Sequence, residues 1–234
     1  MKKHTRKALS LVLSLSVAGS LCMPAMAADE SAEPAEDGIV VLYTNDVHCT
    51  SDDGMAYAAI AGYKAQMEEA YGADHVTLVD NGDAIQGGIL GSMSNGSWIV
   101  DIMNAVGYDL AIPGNHEFDF KMSTFLDIAA NQAEYTYLSC NFVDAEGNPV
   151  LEPYSMVTYG DVDVAYVGIS TPETLTKSAP AYFQNEAGEY IYGFCQGSDG
   201  QELYDQVQNT VDAAREAGAD YVVALAHLGE DAQS

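Results

Sequence analysis

The chain has 234 residues, enough for one α/β domain of ordinary size with a substantial core. It carries 35 Asp and Glu against 8 Lys and Arg, a formal charge of −27 at pH 7. Such a surplus repels nucleic-acid backbone and anionic membrane surfaces, so polymeric DNA or RNA is disfavoured as a partner; small phosphorylated molecules are repelled too, unless bound metal ions reverse the field locally.

Lys2, Lys3, Arg6 and Lys7 form a basic start, residues 8–21 are apolar, and Ala25-Met26-Ala27 offers a small-x-small cleavage site. This is the pattern of a secretory signal peptide over residues 1–27, and its apolar part is short for a membrane span. Leu21 stands before Cys22 where a lipid-anchored start needs a small residue. The expected location is therefore extracellular or in the cell envelope, periplasm or cell surface included, with no transmembrane segment. Four of the 8 basic residues and none of the 35 acidic ones lie in that leader, so the processed chain carries a formal −31. Residues 28–37 read as an acidic linker. Cys49, Cys140 and Cys195 remain, an odd number without CxxC spacing. That argues against a disulfide framework and a cysteine zinc site, and the three are expected to be packing residues, with at most one disulfide.

Residues 38–43 are an apolar, β-branched run expected to be a strand buried on both faces. Asp46 and His48 leave its end, two apart, and extended backbone would point both side chains the same way. Residues 51–53 suit a helix cap and 55–71 an amphipathic helix. Residues 76–80 form a second strand, running into Asn81-Gly82-Asp83. A helix around 97–106 leads to a strand at 109–112, cut off by Pro113-Gly114. Asn115, His116, Glu117, Phe118 and Asp119 follow at once. A helix at 122–131, a short strand at 136–139 and a hairpin of 154–159 with 162–169 come next. Residues 170–198 read as a long loop with a short strand at 190–192. Residues 202–217 are helical, with Leu203, Val207, Val211 and Ala214 on one face, and 221–226 form a last buried strand ending in His227. Alternating strands and helices predict a layered α/β fold with ligands at the strand C-terminal ends.

Four strand ends thus offer Asp46 with His48, Asp83, Asn115 with His116, and His227. Oxygen and imidazole donors without thiolate suit Zn, Mn or Fe. Two carboxylates and several histidines are also what a dinuclear site needs, where two ions sit roughly 3.5–4 Å apart and clamp the oxygens of an in-line displacement.

Asp46-Val47-His48, Gly82-Asp83, Gly114-Asn115-His116-Glu117 and His227 resemble the successive motifs of the calcineurin-like metallophosphoesterases. With Thr44-Asn45 before the first, Ala84-Ile85-Gln86-Gly87 after the second, Phe118-Asp119 after the third and Ala226-His227-Leu228-Gly229 as the last, the chain looks closest to the secreted 5′-nucleotidase/UDP-sugar hydrolase branch. The match runs over about residues 38–230. It implies a layered α/β/α-type sandwich with mixed sheets and a site for two divalent metal ions, Zn, Mn or similar. By resemblance, Asp46 and His48 would hold the first ion, Asp83 would bridge, and Asn115 with His227 would hold the second. His116 would contact the phosphate and stabilise the leaving oxygen, with Asp119 orienting it, and a metal-activated water would attack.

The family pattern continues into a Gly-His-x-His motif and a base-binding domain, neither of which is among these residues. The expectation is a phosphoesterase domain over 38–234, incomplete at its C-terminal end, with an undersupplied second metal. The leading reading is hydrolysis of 5′-nucleotides or nucleotide diphosphate sugars, small molecules rather than polymers. Alternatives are a 2′,3′-cyclic phosphodiesterase or 3′-nucleotidase, a non-catalytic metal-binding remnant, and a surface-binding module using the Tyr-rich residues 182–192.

Overall fold

The computed structural model describes residues 38–50 and 57–229. The expected signal peptide, the acidic linker, the helix cap at 51–53 and the first residues of the following helix lie outside them.

Strands β1 (Val40–Thr44), β2 (Val76–Asp80), β3 (Leu110–Ala111) and β4 (Thr136–Tyr137) form a parallel sheet in that order. Between them run α1 (Tyr57–Tyr71), α2 (Ile89–Ser94), α3 (Ser97–Val106) and α4 (Met122–Asp127), the last continuing as a wider turn through Gln132. A short ribbon pairs β5 (Val143–Asp144) with β8 (Tyr192–Gly193). The second sheet is mixed: β6 (Tyr154–Tyr159) runs antiparallel to β7 (Val162–Ile169), which runs parallel to β9 (Tyr221–Ala226). The short helix α5 (Thr174–Lys177) follows β7, and α6 (Gln201–Glu216) precedes β9.

The period of two along each strand sorts the core into layers. Leu78 and Ala111 face Ile60, Ile99 and Met103 of the helices. Their neighbours Val79 and Leu110 point the other way, into a core shared with Val164, Tyr166 and Leu225 of the second sheet. On that sheet's far face Val167 and Ile169 pack against Leu203, Val207 and Val211 of α6. The layers are therefore helices, sheet, sheet, helix, an α/β/α sandwich with parallel and mixed sheets in its middle.

All five residues of β2 are buried, as an interior strand requires. The expectation of full burial fails for β1 and β9. Each ends the order of its sheet, and Tyr43 and Tyr221 are exposed. An apolar run reports the strand but not whether a neighbour lies on both sides. The hairpin closes at Tyr159 and Val162 as expected. Helix α2 was not legible, because Ile-Leu-Gly-Ser-Met-Ser has no helical stripe. The loop expected at 170–198 holds α5 and a 3-10 turn at Pro180–Phe183.

Candidate metal centre

The loops leaving β1, β2, β3 and β9 meet at one edge of the two sheets. Asp46 N–H donates to Gly82 O at 3.1 Å and His48 N–H to Asp83 O at 2.9 Å, so the first two loops pair as an extension of the sheet. The expected extended backbone at Asp46 and His48 is not what forms. Asp46, His48 and Asp83 have φ of 54°, 48° and 58°, in the left-handed region that costs a non-glycine residue energy and persists where surroundings over-determine it. The turn still directs Asp46 and His48 together, with Oδ1 and Nε2 3.7 Å apart.

Gly114 lets the third loop approach the second. A Cβ there would lie 2.3 Å from Asp83 Oδ1, so a side chain and this position of the carboxylate are incompatible. That oxygen accepts the His116 amide N–H at 2.7 Å. The loop is held from the second sheet as well: Ser170 Oγ, at the end of β7, donates to Pro113 O at 2.9 Å.

Asp46, His48, Asp83, Asn115, His116 and His227 all line one open cleft of about 700 Å³. Asp83 Oδ2 stands 3.7 Å from His48 Nε2 and 3.4 Å from His227 Nε2. Donor atoms of Asp46, Asp83 and His227 lie within 4.8 Å of one another, a set able to hold a metal ion. The histidine tautomers fit that purpose. His48 Nδ1 faces Gln86 O at 3.2 Å and His227 Nδ1 faces Asn81 O at 2.8 Å. A carbonyl only accepts, so Nδ1 carries the hydrogen and Nε2 is the nitrogen left to face the cleft. Carboxylate oxygen plus imidazole nitrogen is a donor set for a borderline divalent cation.

His116 is turned differently. Its Nδ1 meets Asp119 Oδ2 at 2.6 Å, which leaves Nε2 for the cleft. Asp119 does not line the cleft; it stands behind His116, and its other oxygen accepts the Ser178 hydroxyl at 2.9 Å.

Burial alone would raise the Asp83 pKa. The hydrogen bonds from His227 and the His116 amide, with the charges of both imidazoles, outweigh it and hold the carboxyl low. Burial conversely opposes charge on His227, yet its bond to Asp83 and that carboxylate's charge raise it to about 9. That shift favours a proton on the face of His227 that points at Asp83, and a cation bound there would have to displace it.

Sequence reading passed over Glu117 and Ser178. Glu117 is 1% exposed and its two oxygens accept the amides of Asp83, Ala84 and Gly114 at 2.8, 2.8 and 2.7 Å. The available signal was its place inside the Gly-Asn-His-Glu run beside the fully buried Phe118. Among the described residues Cys49, Cys140 and Cys195 are free, with Cys49 and Cys140 buried, and burial pushes the Cys140 thiol up to about 11, in keeping with packing roles.

A family model described as calcineurin-like phosphoesterase matches residues 39–233. Among curated proteins, a snake venom 5′-nucleotidase of Gloydius brevicauda is 28% identical over 209 residues, 82% of this chain and 33% of that protein. The trifunctional nucleotide phosphoesterase protein YfkN of Bacillus subtilis (strain 168) is 26% identical over 268 residues, 100% of this chain and 17% of that protein. Among solved structures, the calcineurin-like phosphoesterase YfkN from Bacillus subtilis matches with a TM-score of 0.66 and 25% identity over 84% of this chain and 64% of that one. A 5′-nucleotidase precursor from Thermus thermophilus shares the fold, with a TM-score of 0.66 at 23% identity over 82% of this chain and 37% of that one. The chain spans about a third of the length of the venom relative. It belongs to the calcineurin-like phosphoesterase family.

Proposed function

We propose that this chain is the metal-bearing part of a secreted or cell-envelope phosphoesterase that hydrolyses 5′-nucleotides, and nucleotide diphosphate sugars with them. The observation that carries the reading is Asp83, a buried carboxylate facing His48, His227 and the His116 amide within one cleft. In this reading Asp46 and His48 would hold one divalent ion and Asn115 with His227 a second, with Asp83 serving both; Zn and Mn suit the donors. Bound ions supply positive charge that offsets the acidic chain and the phosphate, and acidify a water.

The protein's own groups do the rest. Asp119 holds His116 by its Nδ1, keeping Nε2 pointed at the phosphoryl group, where it donates to an oxygen whose charge grows as the ester bond breaks. Ser178 fixes Asp119 from behind. Glu117 keeps the Asp83 and Gly114 loops at one spacing, so donors stay in register without rearranging.

The test is phosphate release from AMP by the full-length gene product, with Mn²⁺ or Zn²⁺ and after chelation, for the wild type and His116→Ala. The reading expects metal-dependent release that falls by about 10²-fold or more in the variant. A second reading, a metal-binding remnant without catalysis, has support in the three-atom cluster of Asp46, Asp83 and His227, which suffices for one ion. It expects metal binding with no release under any condition. Cleavage of 2′,3′-cyclic nucleotides in preference to AMP would instead reassign the substrate.

A further inference from the structure

One wall of the cleft comes from the segment after β7, and the proposed reaction gives it no role. Thr171, Glu173 and Lys177 line it. The segment is anchored: Thr174 is fully buried and its hydroxyl donates to Thr171 O at 2.7 Å, while Leu175 joins the main core. Among the described residues lining the cleft, Lys177 is the only lysine or arginine, in a chain with 8 such residues against 35 acidic ones.

Lys177 Nζ pairs with Glu173 Oε2 at 2.8 Å, both side chains 57% exposed. An exposed pair of this kind contributes about 0–1 kcal/mol, so replacing the carboxylate with phosphate oxygens costs little. Lys177 lines the same cleft as His116, and the residue after it, Ser178, bonds Asp119, which bonds the histidine assigned to the departing oxygen. A nucleoside monophosphate releases a neutral alcohol there. A phosphoanhydride releases a phosphate, and places an extra anion in the cleft of an acidic protein.

We infer that Lys177 determines specificity for substrates whose leaving group is itself a phosphate, nucleoside diphosphates and nucleoside-diphosphate sugars, with Glu173 as its resting counter-ion. The inference rests on the phosphoesterase reading. For ADP, water oxygen bonds to the terminal phosphorus and the bond to the bridging oxygen breaks, its electron pair staying with AMP. ADP and water give AMP, hydrogen phosphate and one proton.

The experiment compares kcat/KM for AMP and ADP in the Mn²⁺-loaded full-length gene product, as wild type, Lys177→Ala, Lys177→Arg and Glu173→Gln. Lys177→Ala is expected to lose about tenfold or more on ADP and less than about twofold on AMP. Lys177→Arg should recover most of the ADP rate, and Glu173→Gln should hold or raise it. Equal losses on both substrates, or no loss on ADP, overturn the inference. A wild type that cleaves AMP but not ADP overturns it and leaves the phosphoesterase reading standing, while cleavage of neither brings down both.

Discussion

Asp83 and Glu117, 34 residues apart, brace each other's loops: the Asp83 amide donates to Glu117 Oε2 at 2.8 Å, and Asp83 Oδ1 accepts the amide of His116, the residue before Glu117, at 2.7 Å. The loops after β2 and β3 are thereby locked with the candidate ligand between them. Burial and the Asp83 charge push the Glu117 pKa up, and the amide donors oppose them. Every partner of that carboxylate is an N–H group, which suits the ionised form.

Glu117→Gln puts an NH₂ group against those amides. It should destabilise the fold by about 1–3 kcal/mol, the cost of leaving buried donors unpaired, and Glu117→Ala by more. Urea denaturation of the variants checks this. A loss below about 0.5 kcal/mol for Glu117→Ala would mean the two loops hold their spacing without it.

Two glycines separate close approach from mere flexibility. Gly114→Ala forces its Cβ onto Asp83 Oδ1 and the Asp83 amide, so it should cost about 1–3 kcal/mol and weaken metal binding at least tenfold. Gly62 sits within α1 with nothing within 4 Å of an added Cβ, and Gly62→Ala should stabilise by about 0.5–1 kcal/mol. Calorimetry on both gives opposite signs if the packing is as described.

Asp80 ends β2 buried, accepting Thr44 Oγ1 at 2.6 Å and the Gly82 amide at 2.9 Å. Burial raises its pKa to about 8, only partly opposed by those bonds. A carboxyl whose folded pKa lies above its unfolded value of about 3.9 favours the fold fully at low pH, and that contribution is lost as pH rises toward 8. Asp80→Asn removes the titration. The melting temperature of the variant minus that of the wild type should therefore increase between pH 5 and pH 8; a flat or falling difference would show Asp80 ionised throughout.

The layering was legible because apolar periodicity reports which face of an element is covered: β2, α3, the β6–β7 hairpin and β9 fall within a residue or two of expectation. Edge position was not, since Tyr43 and Tyr221 look as apolar as Val79 until the sheet order is known. The cleft residues were readable as polar side chains at strand ends. Their backbone was not: the left-handed turn at Asp46 and His48 is imposed by pairing with the loop after β2, a contact between segments some 35 residues apart. Ser178 acts through a hydrogen bond to a distant loop, which no local pattern encodes, and the place of Glu117 in the Gly-Asn-His-Glu run does not say which amides it holds. Phe118 shows the coupling between site and core, since its ring packs on Phe125, Phe142, Phe183 and Phe194 directly beneath the His116 loop.

The central claim is that Asp83 is the carboxylate around which a divalent metal site is built. Equilibrium dialysis of this chain against Mn²⁺ and against Zn²⁺, for the wild type and Asp83→Asn, tests it most directly, with circular dichroism to establish that the variant is folded. The account predicts bound metal in the wild type and a loss of at least tenfold in affinity in a folded Asp83→Asn. Equal binding by both proteins, or none by the wild type, would contradict it.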